Sequence, residues 1–211
     1  MKTRSKALLL TLCAVLLVTA SVLGTMAYLT SQDHVVNTFT VGSVAITLDE
    51  TDVDNSTTSA DRDQANSYKL MPGHTYAKDP MVTVLNGSES SYIKMTVTFS
   101  KANELDAIFD PDGATLTTIF NGYDSSNWTY KGNTKNAADN TRTYEFWYKE
   151  AVAAPDGNVA LDALFDSITV PGSITNEQLK TIEGMTITVN AYAIQADGFA
   201  NAEAAWVAYT G

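Results

Sequence analysis

The chain has 211 residues, of which 45% are hydrophobic and 18% charged, and its formal net charge is -11. That balance excludes a disordered chain and fits one large globular domain or two small ones. So acidic a molecule is also excluded as a coat for DNA or anionic lipid, both polyanions, and no nucleic-acid partner is expected.

The first residues read as an address. Lys2, Arg4 and Lys6 make a basic start, Ala7 to Leu23 is almost wholly apolar, and Gly24-Thr25-Met26-Ala27 follows. A basic start, an apolar run and a small-residue exit describe a secretory signal peptide. Thr25 and Ala27 suit the two small-residue sites of a signal peptidase, so cleavage is expected between Ala27 and Tyr28. Residues 1–27 are then the leader and 28–211 the mature domain. The alternative is an uncleaved anchor, since the apolar run nearly spans a bilayer. Membrane contact is expected only through the uncleaved leader. The remainder holds 10 basic and 24 acidic groups, a net charge of -14. The single cysteine, Cys13, leaves with the leader, which removes disulfides, thiol nucleophiles and Cys-based metal sites. An exported chain without a disulfide framework points to a bacterial export route and an extracellular or cell-surface location.

The mature chain reads as strands. Phe39 and Val41 alternate with threonines, and after Gly42-Ser43 the apolar phase moves to Val44, Ile46 and Leu48, the pattern of a bulge or break. Residues 49–66 are acidic and polar and read as a long surface loop. Leu70-Met71-Pro72-Gly73 is a turn. Met81 to Leu85 is a short strand, Asn86-Gly87 a turn, and Tyr92 to Phe99 a half-buried strand with Ile93, Met95, Val97 and Phe99 inward. The short link between them predicts a hairpin. Ala102 to Phe109 reads as a short helix. Asn127 to Lys131 and Thr141 to Lys149 read as a strand pair joined by a polar linker. Leu164 to Val170 is a strand. Thr175 to Glu183 reads as a capped helix with Leu179 and Ile182 inward. Met185 to Ala193 is a last strand, and residues 201–209 make a helical turn that packs Trp206 onto a sheet. Many short strands, two or three short helices and no βαβ rhythm predict an all-β antiparallel β-sandwich in one domain.

Site chemistry is sparse. No His-Glu-x-x-His occurs, and His34 and His74 are far apart, so both read as loop residues rather than zinc ligands. Asp52-Val53-Asp54, Asp61-Arg62-Asp63 and Asp110-Pro111-Asp112-Gly113 offer clustered oxygens. None supplies a complete EF-hand set, and they read as acidic loops. No Gly-x-Ser-x-Gly and no phosphate-cradling loop occurs. No catalytic residue, metal or cofactor is expected. Trp128, Tyr130, Tyr144, Phe146 and Tyr148 read first as core; a glycan platform is the alternative.

Two blocks carry a resemblance. One is Gly24-Thr25-Met26-Ala27-Tyr28-Leu29-Thr30-Ser31-Gln32-Asp33 with Asn37-Thr38-Phe39-Thr40-Val41-Gly42 and Val44-Ala45-Ile46-Thr47-Leu48. The other is Leu70-Met71-Pro72-Gly73-His74-Thr75-Tyr76-Ala77-Lys78-Asp79-Pro80, followed by Val82, Val84, Asn86-Gly87-Ser88 and the strand to Phe99. Together they resemble the TasA/camelysin family of exported proteins, processed by a SipW-type signal peptidase. The resemblance implies a jelly-roll-like sandwich and an extracellular life. The family's best-known members form biofilm-matrix fibres, and others stay on the cell surface. Camelysin's metallopeptidase label finds no ligand set here.

A physical route to self-association stands beside the resemblance. Cleavage frees a short polar segment at Tyr28, within a donor region spanning residues 28–48. An unpaired sheet edge is a template for another chain. Addition of this segment to the edge of a second copy is head-to-tail and propagates as a filament. Tyr28, Leu29, Val35, Val36, Phe39 and Val41 are the expected assembly residues. A monomeric glycan-binding surface module is the alternative, and a camelysin-like metallopeptidase the third reading.

Overall fold

A computed structural model describes residues 3–29, 42–56, 61–109 and 116–209. The chain divides into two units, Met1–Val41 and Gly42–Gly211. The first holds the helix α1 (Thr3–Leu29), built from Leu, Ala and Val with no proline. Its described apolar side chains, Leu8 to Val18, are exposed on every side. Thr11 and Thr19 return their hydroxyls to the carbonyls of Ala7 and Val15, which keeps these polar groups satisfied within the helix. The side chains of α1 are described only from Ser5 to Thr19. Among the described residues, no helix is long and apolar enough to cross a membrane.

The second unit is an all-β antiparallel sandwich. One sheet has the order β2 (Arg62–Asp63), β1 (Ile46–Thr51), β4 (Met81–Val84), β9 (Val159–Ala160). The other runs β11 (Ile187–Gln195), β5 (Ser88–Ser100), β7 (Thr141–Tyr148), β6 (Trp128–Asn136), with β8 (Val152–Ala154) on the start of β5. β3 (Thr75–Ala77) and β10 (Ser167–Thr169) form a small third sheet. Among the described residues, four short helices accompany them: α2 (Ala102–Phe109), α3 (Leu116–Ile119), α4 (Asn176–Thr181) and α5 (Ala202–Ala208). Two or three were expected from the sequence; α3 is the addition.

β5 is the central strand, and the period-two pattern of its sequence explains why. Ile93, Met95 and Val97 are fully buried, while Lys94, Thr96 and Thr98 face outward. They meet Val82 and Val84 of the first sheet, with Phe120, Phe146, Leu164 and Phe165 filling the layer between. Each such side chain contributes about 1.5–3 kcal/mol relative to leaving it in water. α4 starts at a capping box, in which Thr175 accepts from the Gln178 backbone and Gln178 from the Thr175 backbone.

Several expectations need correction. Met81–Val84 and Ser88–Ser100 do not form a hairpin. β4 pairs with β1 and β9, and β5 with β11, β7 and β8, so residues 85–87 carry the chain from one sheet to the other. Gly87, at φ +83°, makes the reversal that a side chain would strain. The polar stretch 132–140 is no mere linker, because β6 continues through it to Asn136 and only residues 137–140 turn. The segment 49–66 is not simply a surface loop: Asp49 to Thr51 complete β1, Arg62 and Asp63 form β2, and Glu50 is buried. Leu164–Val170 contains strand only at Ser167–Thr169; Leu164 and Phe165 enter the core before it. Ile46 and Leu48 belong to β1 and pair with Val84 and Val82, so the part of the 28–48 donor region from Ile46 onward is integral to the sandwich.

Candidate functional site

The two sheets are not closed along one side. Ile46 to Asp49 of β1 pair with β4 on one edge, and β2 covers the other edge only at Glu50 and Thr51. β11 pairs with β5 and with no other strand among the described residues. β1 and β11 lie close together, yet no backbone ladder joins them there. Between them opens a groove of about 1210 Å³. That exceeds the roughly 300–1,000 Å³ of small-molecule sites. Its walls are Leu48, Ile187 and Val189, and Phe99, Leu105 and Ile182 form its floor. The side-chain amide of Gln64 reaches the Leu48 carbonyl at 3.4 Å along that edge of β1.

One end of the groove is polar. Glu50 of β1 and Lys78, after β3, meet there at 2.6 Å, both nearly inaccessible to solvent. The Tyr68 ring lies 5.8 Å from the Lys78 ammonium. Burial pushes the Tyr68 phenol well above its ordinary value, and the carboxylates of Glu50, Asp79 and Asp54 push the same way. Behind this end, Arg62 binds Asp49 and Asp79 and donates to the Asp79 carbonyl at 2.9 Å. It thereby ties the acidic segment to the rim of β1. Burial raises the Asp79 carboxyl, but hydrogen bonds from Thr51 and Arg62 outweigh it and hold the group below the usual carboxylate range.

The other edge of the larger sheet is built differently. β6 carries Lys131 and Lys135, and its register slips between Tyr130 and Gly132, where Gly132 takes φ +127°. Lysines and a bulge are devices that blunt an edge, and β11 has neither. Of the two edges of the larger sheet, the β11 edge is therefore the one left open to pairing among the described residues.

The sequence-predicted residues fall as follows. Thr25, Ala27, Tyr28 and Leu29 lie in the last turns of α1. Val35, Val36, Phe39, Val41 and His34 lie outside the described residues, as do Asp110 and Asp112. His74 follows the Gly73 turn, exposed, with its ring beside Tyr76 and no second histidine described. Asp52, Asp54 and Asp63 do come together, their oxygens within 4.8 Å of one another. Backbone and hydroxyl donors of Ser56 and the backbone of Ser67 and Gln64 already bond these carboxylates. Trp128, Tyr144 and Phe146 are core, and the Trp128 indole donates to the Asp162 carbonyl at 3.1 Å. These three rings are closed to a glycan, and Tyr130 and Tyr148 pack half-buried against the core. The Glu50–Lys78 pair and the groove escaped sequence reasoning; the only signal was two charged residues beside alternating apolar ones. Comparison with protein-family models, with curated proteins and with solved structures found no match.

Proposed function

We propose that this is an exported structural subunit of a bacterial cell surface or biofilm matrix. After the leader is cut at Ala27, the freed N-terminal segment of one copy enters the β1–β11 groove of the next. The observation that carries this reading is a large, apolar-floored opening bounded by the edges of β1 and β11, which no strand ladder joins among the described residues. A segment entering there gains ladder bonds on its edges and buries alternate side chains, which is the chemistry of strand addition. The contact joins one end of a molecule to a different surface of its neighbour, so it extends as a filament rather than closing. The opposite, blunted edge limits pairing to one side. The leader and the Pro-Gly block, which resemble TasA/camelysin proteins, point the same way.

The test compares protein beginning at Tyr28 with protein beginning at Gly42, by size-exclusion chromatography and electron microscopy. We expect filaments from the first and a folded monomer from the second. Filaments from both would remove the N-terminal segment from the assembly, and monomers from both would remove self-association.

A further inference from the structure

The outward face of the larger sheet carries a second feature, which adjoins the groove at Thr186 and Thr188. Thr188, Thr98, Thr143 and Thr134 stand directly opposite one another across β11, β5, β7 and β6. The next row along the strands holds Ser100, Thr141 and Asn136 in register, with Thr186 bonded to Ser100 through backbone and side chain. All eight point away from the core, because their neighbours Val97, Phe99 and Tyr144 point into it. None is charged, in a chain of net charge -11. Thr98 and Thr143 share one hydrogen bond at 2.9 Å. A hydroxyl offers one donor and two acceptor positions, so this pair keeps capacity for a ligand.

The field ends at a ledge. In the row Tyr192–Lys94–Trp147, α5 lays Trp206 and Tyr209 over the sheet. The Lys94 ammonium sits 4.5 Å from the Trp206 ring and within 5.3 Å of the Tyr192 and Tyr209 rings. Lys131 lies 4.0 Å over the Trp147 ring, and Glu145 accepts from the Trp147 indole at 2.6 Å. The charges beside the field are therefore engaged by their own neighbours.

We propose that this face binds a neutral polysaccharide, laid across the strands against the ledge. A sugar polymer presents repeated hydroxyls that both donate and accept, which matches a row of threonines one rung apart, about 4.8 Å. Threonine methyls meet the apolar faces of the sugar rings. An anionic polymer finds no uncommitted cation here. Each contact is weak, and a polymer gains by engaging several rungs at once.

The test immobilises the full chain in mild detergent and passes soluble hydroxyethylcellulose, polygalacturonate or glucose over it in a biosensor. Hydroxyethylcellulose should bind, polygalacturonate should not, and glucose should bind at least 100-fold more weakly than the polymer. Thr98→Val with Thr143→Val keeps shape and strand preference while removing two hydroxyls. It should weaken polymer binding at least tenfold with unchanged thermal unfolding. No binding by the wild type, equal binding of the anionic polymer, or an unaffected double variant overturns the proposal. So does capture of a second copy of the chain that the double variant abolishes, which assigns the face to self-contact. Filament formation by the double variant, read separately, reports on the groove alone.

Discussion

Lys78 donates to Glu50 at 2.6 Å, from opposite sides of the polar end of the groove, and both side chains are almost removed from water. Removing one partner strands a charge in a poorly solvated place, whereas removing both does not. Lys78→Met should therefore cost about 3–5 kcal/mol in urea unfolding, and Glu50→Leu combined with Lys78→Met should recover most of it. Equal losses in the single and double variants would show that packing, not charge, matters at this position.

The groove wall offers a more direct handle on assembly. Val189 is partly buried and lines the opening from β11. Val189→Lys places an ammonium where an entering strand would bury its side chains, a charge that natural edges use to prevent pairing. We expect an unchanged circular dichroism spectrum and no filaments by electron microscopy. Lys135→Thr on β6 should leave filament formation as it was.

Trp128 separates core from surface roles. It is 1% exposed, packs edge-on to Tyr148 at 5.0 Å between centroids, and bonds Asp162. Trp128→Ala should cost about 3–5 kcal/mol, read as a lower denaturation midpoint. A variant as stable as wild type would mean that the sandwich closes around the cavity.

Acid should loosen the rim. Asp79 and Asp106 both titrate below the ordinary range: burial raises each, and Thr51 with Arg62, or Lys135 with Arg142, more than reverses it. With folded-state values depressed, the unfolded chain binds protons first as pH falls. Their stabilisation is complete above the unfolded value of about 3.9 and is lost as pH drops through the lower folded values. Urea midpoints measured from pH 6 downward should decline in that window, and Asp79→Asn should flatten the decline.

Much of this fold was legible because it rests on local pattern. The alternation from Ile93 to Phe99 marked the central strand, Thr175 or Asn176 marked a helix cap, and Trp206 marked a docked C-terminal turn. What escaped depends on partners distant in sequence. Asn86-Gly87 has the chemistry of a hairpin turn, but β1 and β9 claimed both edges of β4, so the chain changed sheets instead. Among the aromatic residues of β7, parity decided everything. Tyr144 and Phe146 point inward and Trp147 outward, and the cluster in sequence gives no hint of which set is exposed. Glu50 looked like one acid among many in a polar run; only folding brought it against Lys78, 28 residues away.

The bulge at Gly132 limits what the far flank of the sheet tolerates. A visiting strand that begins zipping beside Trp128 loses step within a few rungs, because the donors and acceptors beyond Tyr130 are out of phase. Growth from that flank stalls early, so a crowd of these molecules is steered away from stacking sideways into an insoluble mat.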